Sequence, residues 1–220
     1  MAFEYLKPYK EAMPPLTMQD IIDHRNLHFM RYGDGEIYAI CGGNGVTNID
    51  GHYLGFPDLQ VDMLKTITEP KKSILYGLIP IGAHAADKKL DLSGISWVYG
   101  DVWRDAYDLG LIPSFFDWLE GKDVVIVGPP HMKRLLSKVS FSHVKVDGKN
   151  CYLQKEKKKE ELLRLTEKPD VVLFCAGVLS NVLIYELTES FQKSYMLDVG
   201  ASFDPFCGVI SRPNHRMEYR

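Results

Sequence analysis

The sequence is poor in cysteine, has no net basic charge and contains no long apolar run, and each shortage removes a class of protein. Its four cysteines, Cys41, Cys151, Cys175 and Cys207, lie far apart with no C-x-x-C pair. That spacing fits neither a zinc knuckle nor the dense disulfide framework of a small secreted scaffold, so reduced thiols in a cytoplasm are expected. No stretch approaches the ~18 apolar residues that a spanning helix needs, and Met1 to Pro8 hold no apolar segment of a leader. A soluble chain without a membrane span is expected. With 26 Lys+Arg against 29 Asp+Glu the formal net charge is −3, so no global positive field marks a binder of nucleic acid or anionic membrane. Internal repeats are absent. The glycine-dense string Cys41-Gly42-Gly43-Asn44-Gly45 lacks the Lys-Ser/Thr of a P-loop and follows no long apolar strand, so it reads as a flexible loop with room to serve as a lid.

What is present is enough apolar material for one core: 220 residues, 45% of them hydrophobic. Short apolar runs alternate with helical patterns, the mark of an α/β fold with a mostly parallel sheet. The strand candidates are Leu27 to Tyr32, Ser73 to Ile79, Ile95 to Tyr99, Asp123 to Val127, His143 to Val146, Asp170 to Cys175 and Tyr195 to Val199. Helices are predicted after Thr17, from Pro57 and around Pro113. Val124 to Val127 and Val171 to Phe174 do not alternate, so they are expected in the middle of the sheet. Each precedes a Gly-bearing turn and a predicted helix, Gly128 before Met132 to Val139 and Gly177 before Leu179 to Thr188. In open α/β sheets such turns bind ligands.

The average charge conceals a local excess, since residues 131–160 hold nine Lys/Arg and three acids. Within it, Lys155 to Glu161 reads first as a solvated helix with i,i+4 pairs. Its alternative is one basic face toward a polyanion.

The strongest local feature is Arg31-Tyr32-Gly33-Asp34-Gly35-Glu36, directly after the apolar residues Leu27 to Met30. Two glycines permit a tight turn, and Asp34 and Glu36 put two carboxylates within reach of one hard cation. A Mg²⁺ or Mn²⁺ completed by substrate phosphates would offset charge on a diphosphate leaving group. As bare spacing, D-x-E also fits a solvated turn. His131, near Lys133 and Arg134, reads either as a phosphate or acceptor contact or as a plain surface residue. His24 and His28 are not expected to share a helical face, because the helix should end near Arg25.

The hexapeptide resembles the R-[FY]-G-D-G-E signature of GT-D type glycosyltransferases. Lys122 to Gly128 resembles their central strand and turn, Ala176 to Leu183 their Gly-initiated helix, and Leu197-Asp198-Val199-Gly200 their closing strand end. The ending from Ala201 to Gly208, followed by Ser211 to Arg216, departs from the better-known members and looks more like a compact subgroup of phage and bacterial genomes. The resemblance implies one Rossmann-like domain over residues 1–220, with six or seven mostly parallel strands and an extended tail from about residue 204. It implies a nucleotide-sugar donor, a divalent cation on Asp34 and Glu36, phosphate held by Arg31 and the helix starts at Gly128 and Gly177, and substrate contacts at Gly33 and Gly35. His131, Asn181 and Ser202 join the substrate contacts, and Asp198 or Asp204 is the expected general base, approaching Asp34 and Glu36 from a neighbouring strand end. The acceptor is left open between a glycan and a hydroxymethylated base in phage DNA, the latter motivated by the basic stretch together with Arg212, His215, Arg216 and Arg220. A phage-encoded chain would work in the host cytoplasm. A non-catalytic nucleotide-binding module remains the contrasting reading. A methyltransferase is disfavoured because only 20 residues follow Gly200.

Overall fold

The structure, a computed structural model, describes residues 7–43, 53–86, 90–147, 149–213 and 215. All seven expected strands form, as β1 (His28–Tyr32), β2 (Ile74–Leu78), β3 (Trp97–Tyr99), β4 (Val124–Gly128), β5 (Ser142–Lys145), β6 (Val171–Phe174) and β7 (Tyr195–Asp198). They make one seven-stranded sheet in the order β3-β2-β1-β7-β6-β4-β5, with every pairing parallel. The apolar runs β4 and β6 are interior and buried throughout, as covered strands should be. The middle position belongs to β7, and β4 lies one strand from the edge.

Side chains alternate between two cores, one on each face of the sheet. Met30, Tyr32, Val125, Val127, Val172 and Phe174 enter one core, while Phe29, Val124, Ile126, Val171 and Leu173 enter the other. Helices α1 (Lys7–Glu11), α2 (Met18–Asp23), α3 (Asp34–Ile40), α4 (Pro57–Thr68), α5 (Pro80–Ala86), α6 (Val102–Asp108), α7 (Ile112–Leu119), α8 (Lys155–Leu163) and α9 (Val178–Leu187) cover the faces. Their starts follow local chemistry. Thr17 accepts the Asp20 N–H while Asp20 accepts that of Thr17, which satisfies two donors that a helix start would otherwise leave unpaired. Pro57 occupies a first-turn position where its missing N–H costs nothing.

Two expectations fail. The segment after Gly128 is a 3₁₀ helix, Pro130–Ser137, rather than an α-helix. Pro129 and Pro130 supply no N–H at its start, so the turn after β4 cannot cradle a phosphate as a helix N-terminus does. The chain from residue 204 does not leave as an extended tail: Asp204–Cys207 is a 3₁₀ turn whose four residues are all buried. Asn44, Gly45, Arg216 and Arg220 lie outside the described residues. Among the described residues no helix is long and apolar enough to cross a membrane.

Candidate functional site

Strand β1 passes into α3 through Gly33 alone, so Asp34, Gly35 and Glu36 form the first turn of a helix rather than the expected free turn. Carboxylates are favoured there by the partial positive charge of the helix N-terminus. Glu36 Oε2 accepts the Gly33 N–H at 2.9 Å. Gly33 has φ −97, so its need for glycine is not conformational; a Cβ would stand 3.2 Å from Glu36 Oε2. Asp34 is exposed.

Beside it, β7 ends in Asp198, whose Oδ2 lies 3.4 Å from Arg31 Nε and whose Oδ1 accepts the Gly200 N–H at 3.0 Å. Arg31 is held a second way: the buried Asn181 Nδ2 donates to its carbonyl at 2.8 Å. Asn181 therefore positions β1 from α9, and it does not line the cavity as a substrate contact. Its Oδ1 is buried without a hydrogen-bond partner. Asp101, at the start of α6, adds a carboxylate that pairs with Arg104 at 3.6 Å.

Glu36 lies close enough to Asp198 to feel its charge. Burial, reinforced by the charge of Asp198, pushes the Glu36 carboxyl up to about 7. Burial also raises Asp198 and Asp101, against the opposing pull of Arg31 on both. A cation among them would oppose these shifts and favour the ionised forms. Among the described residues no group of three or more His, Cys, Asp or Glu is placed to hold a metal. Two carboxylates, Asp34 exposed and Glu36 with one oxygen committed to Gly33, suit a hard cation that completes its shell from phosphate and water rather than a closed protein cage.

A cavity of about 330 Å³ opens at the carboxyl ends of the strands, lined by Arg31, Gly33, Asp34, Gly35, Glu36, Gly177, Asp198 and Ser202. Eight of the expected site residues thus meet in one place, and Asp34 and Gly177 share it. Gly177 caps α9 at φ 53, ψ −139, a conformation open essentially to glycine alone. Gly200, Arg212 and His215, named above for the closing strand end and for the basic tail, also line this cavity, as do Asp101, Arg104 and Tyr107, which the sequence did not single out. The signal for Asp101 was present: Tyr99-Gly100-Asp101 repeats Tyr32-Gly33-Asp34, each at a strand end before a helix.

Asp204 is elsewhere. It lines an adjoining cavity of about 260 Å³ together with His131 and Ser211, where its Oδ1 lies 2.8 Å from His131 Nε2 and its Oδ2 accepts the Ser211 hydroxyl. The expectation that Asp204 approaches Asp34 and Glu36 is corrected accordingly. Gly128 gives its carbonyl to Val146 N–H and His143 Nε2, and lines neither cavity. Arg134 donates to the Cys207 carbonyl at 2.7 Å, fastening the 3₁₀ turn rather than offering a phosphate contact. Cys175 lines the second cavity, but burial holds its thiol well above the usual range, which leaves it a poor nucleophile.

The lysine run is not a basic face toward the site. Lys155 pairs with Asp62 at 2.8 Å, Glu156 at 3.0 Å and Glu186 at 3.4 Å. Lys159 pairs with Glu186 at 2.5 Å and the buried Lys158 with Glu161 at 2.8 Å. Helix α8 is thereby clamped to α4 and α9, and none of its lysines lines either cavity.

No protein-family model matches the chain, and no curated protein matches it in sequence. In fold it is similar to the solved structure described as the highly conserved domain of unknown function 1792, with a distinct glycosyltransferase fold. The TM-score is 0.71 at 15% identity, covering 94% of this chain and 84% of that one. A selenomethionine-substituted structure of the same domain matches with a TM-score of 0.66 at 16% identity over the same shares. The chain has that α/β fold, with its all-parallel seven-stranded sheet flanked by helices.

Proposed function

We propose that this chain is a metal-assisted glycosyltransferase that moves a sugar from a nucleotide-diphosphate donor to an acceptor hydroxyl. The observation that carries the reading is the meeting of Arg31, Asp34, Glu36 and Asp198 in one cavity at the carboxyl edge of the sheet. The likeness to a domain described as having a glycosyltransferase fold supports it. Four carboxylates lining a cavity, Asp101 being the fourth, repel a phosphate ligand unless a cation stands between them, and this favours metal-assisted chemistry over a plain nucleotide-binding module.

Asp34 and Glu36 would hold a Mg²⁺ or Mn²⁺, which when bound supplies charge compensation to the departing nucleotide diphosphate. The chain's own groups do the rest. Arg31, fixed by Asp198 and by Asn181 at its carbonyl, presents a guanidinium to the diphosphate. The start of α9 behind Gly177 turns backbone N–H groups toward the same anion. Asp198 is spent on Arg31 and Gly200, and so positions rather than transfers. Ser202 is placed for a sugar hydroxyl. For the acceptor, glycan hydroxyls are favoured over a hydroxymethylated base in DNA, because the α8 lysines that suggested a polyanion are paired with internal acids.

The test is a donor screen: sugar nucleotides of several bases and sugars, with Mn²⁺ or with EDTA, reading nucleotide diphosphate release. Metal-dependent release that falls in Asp34→Ala and Glu36→Gln supports the reading. Full-rate release in EDTA removes the metal, and tight nucleotide binding without any sugar release moves the chain to the binding-module class.

A further inference from the structure

We infer that the second cavity is the acceptor subsite, and that His131, held by Asp204, is the general base that takes the acceptor proton. This rests on the donor-side reading above and adds to it the other half of the reaction. The two cavities adjoin, sharing Gly177, Gly200, Ala201 and Arg212. Of these, Gly177 leaves open space, with nothing within 4 Å of where a Cβ would stand, while the Arg31 guanidinium covers Gly200. A sugar bound over Arg31 and Asp198 would border these shared residues, and an acceptor hydroxyl would then reach its anomeric carbon from the His131 side.

That cavity is lined by Lys149 and Arg212 as well as by His131, Asp147 and Asp204, and the geometry of the His131–Asp204 pair is that of an oriented base. Asp204 is 5% exposed, and its two oxygens are committed to His131 Nε2 and to the Ser211 hydroxyl. A buried carboxylate facing Nε2 fixes the tautomer: Nε2 carries the proton and donates it, leaving a lone pair on Nδ1. Among the described residues His131 makes no other hydrogen bond, and Nδ1 is not among the buried polar atoms left without a partner. It is therefore open for an incoming hydroxyl. Imidazole is the side chain most often used for this transfer, and a base held in orientation by a third group is the recurring arrangement. Cys175, on the same wall, is held protonated by burial and does not compete.

The step balances without a further reagent. The acceptor O–H proton moves to His131 Nδ1, and the oxygen lone pair forms the new bond to the anomeric carbon. The bond from that carbon to the diphosphate oxygen breaks, its electron pair leaving with the nucleotide diphosphate. The proton then passes from Nδ1 to solvent. Attack from the face opposite the leaving group inverts the anomeric configuration. Asp204, both of whose oxygens are committed to His131 and Ser211, acts through His131 and so is a positioning residue.

The experiment uses the full chain, UDP- and GDP-sugars with Mn²⁺, and a panel of p-nitrophenyl glycosides as acceptors. In His131→Gln an amide N–H replaces Nε2–H toward Asp204 while no basic nitrogen remains. Its thermal midpoint and its calorimetric affinity for UDP or GDP with Mn²⁺ are expected to stay at wild-type values. Glycoside transfer is expected to fall by roughly 10²–10⁴-fold in kcat, with partial rescue by added imidazole in His131→Ala. Asp204→Asn should lower kcat without changing the donor KM, and the product should carry the inverted anomer. Transfer at the wild-type rate in His131→Gln, a loss of nucleotide affinity in that variant, a retained anomer, or absence of any glycoside-stimulated turnover overturns this inference and leaves the donor reading standing. Absence of nucleotide binding in the wild-type chain overturns the donor reading itself.

Discussion

A Cβ placed on Gly200 would stand 2.1 Å from Nη2 of Arg31. The guanidinium thus lies directly over the backbone at the end of β7, in space that only glycine leaves open. Gly200 also has φ +56, where an L side chain costs about 1–2 kcal/mol. Gly200→Ala is therefore expected to lower stability by that amount and to push Arg31 off the Asp198 carboxylate. If Arg31 holds diphosphate, the loss of one charge-assisted contact weakens binding by roughly tenfold or more. Calorimetric titration of nucleotide diphosphate with Mn²⁺ measures it, and unchanged affinity would mean that Arg31 does not touch the donor.

Asp34 and Glu36 separate on folding grounds. Asp34 is exposed and makes no hydrogen bond or ion pair among the described residues, while Glu36 closes the start of α3 onto Gly33. Asp34→Ala should cost the fold no more than ~1 kcal/mol, its share of the helix-terminus interaction. Turnover should fall on the order of 10²-fold, the usual effect of removing one electrostatic stabiliser of a leaving group. A normal melting curve with collapsed, metal-insensitive turnover is the expected pair of results. Wild-type turnover would take Asp34 out of the site.

Most of the strands were legible because they are short apolar runs closed by Gly, Asp or Pro, the edge strand β5 with its sequence Ser-His-Val-Lys being the exception, and the D-x-E string was legible because it follows one of them directly. Strand order was not. That β7 inserts between β1 and β6, bringing Asp198 to Arg31, depends on pairings between distant segments that no local pattern encodes. The same holds for Asp204, whose partner His131 is 73 residues away, and for the α8 lysines, whose acids Asp62 and Glu186 sit on α4 and α9. Asp101 was missed for another reason: its strand is three residues long, too short to give its Tyr-Gly-Asp ending weight. The turn after Gly128 was misread although its two prolines, which remove the needed donors, were in plain view.

His28 gives the fold a pH dependence remote from the site. It is 2% exposed on β1, and its Nε2 lies 3.1 Å from the Phe191 carbonyl. Burial lowers its pKa from 6.5. The unfolded chain then binds the proton more readily, so stability rises with pH across the interval between the folded and unfolded values. It is fully present above 6.5 and lost as pH falls below it, at up to ~1.4 kcal/mol per pH unit. Urea unfolding at pH 7.5 and 5.5 should show this loss, and His28→Gln, which keeps a donor toward Phe191, should reduce it. An equal slope in the variant would assign the acid sensitivity to other groups.

The lysine run yields the sharpest separation between stability and binding. Lys155 sits between Asp62 and Glu186, and Asp62 also accepts the Tyr152 hydroxyl at 2.7 Å, so one partly buried network joins α8 to α4 and α9. Removing Lys155 leaves Asp62, which also accepts the Tyr152 hydroxyl, without its counter-charge, while Glu186 keeps Lys159. Lys155→Gln should therefore cost roughly 1–3 kcal/mol, the range for losing a hydrogen-bonded charge at a partly buried position. A lysine already neutralised by internal acids releases few counterions from DNA, so the same variant should leave duplex binding where it was. Non-specific affinity should be no tighter than the usual ~10⁻⁴–10⁻⁶ M. Fluorescence anisotropy of a labelled duplex across a salt series, run beside urea unfolding, reads both quantities. A steep salt slope that Lys155→Gln and Lys159→Gln flatten would show that these lysines meet phosphate, and would return DNA to the head of the acceptor classes.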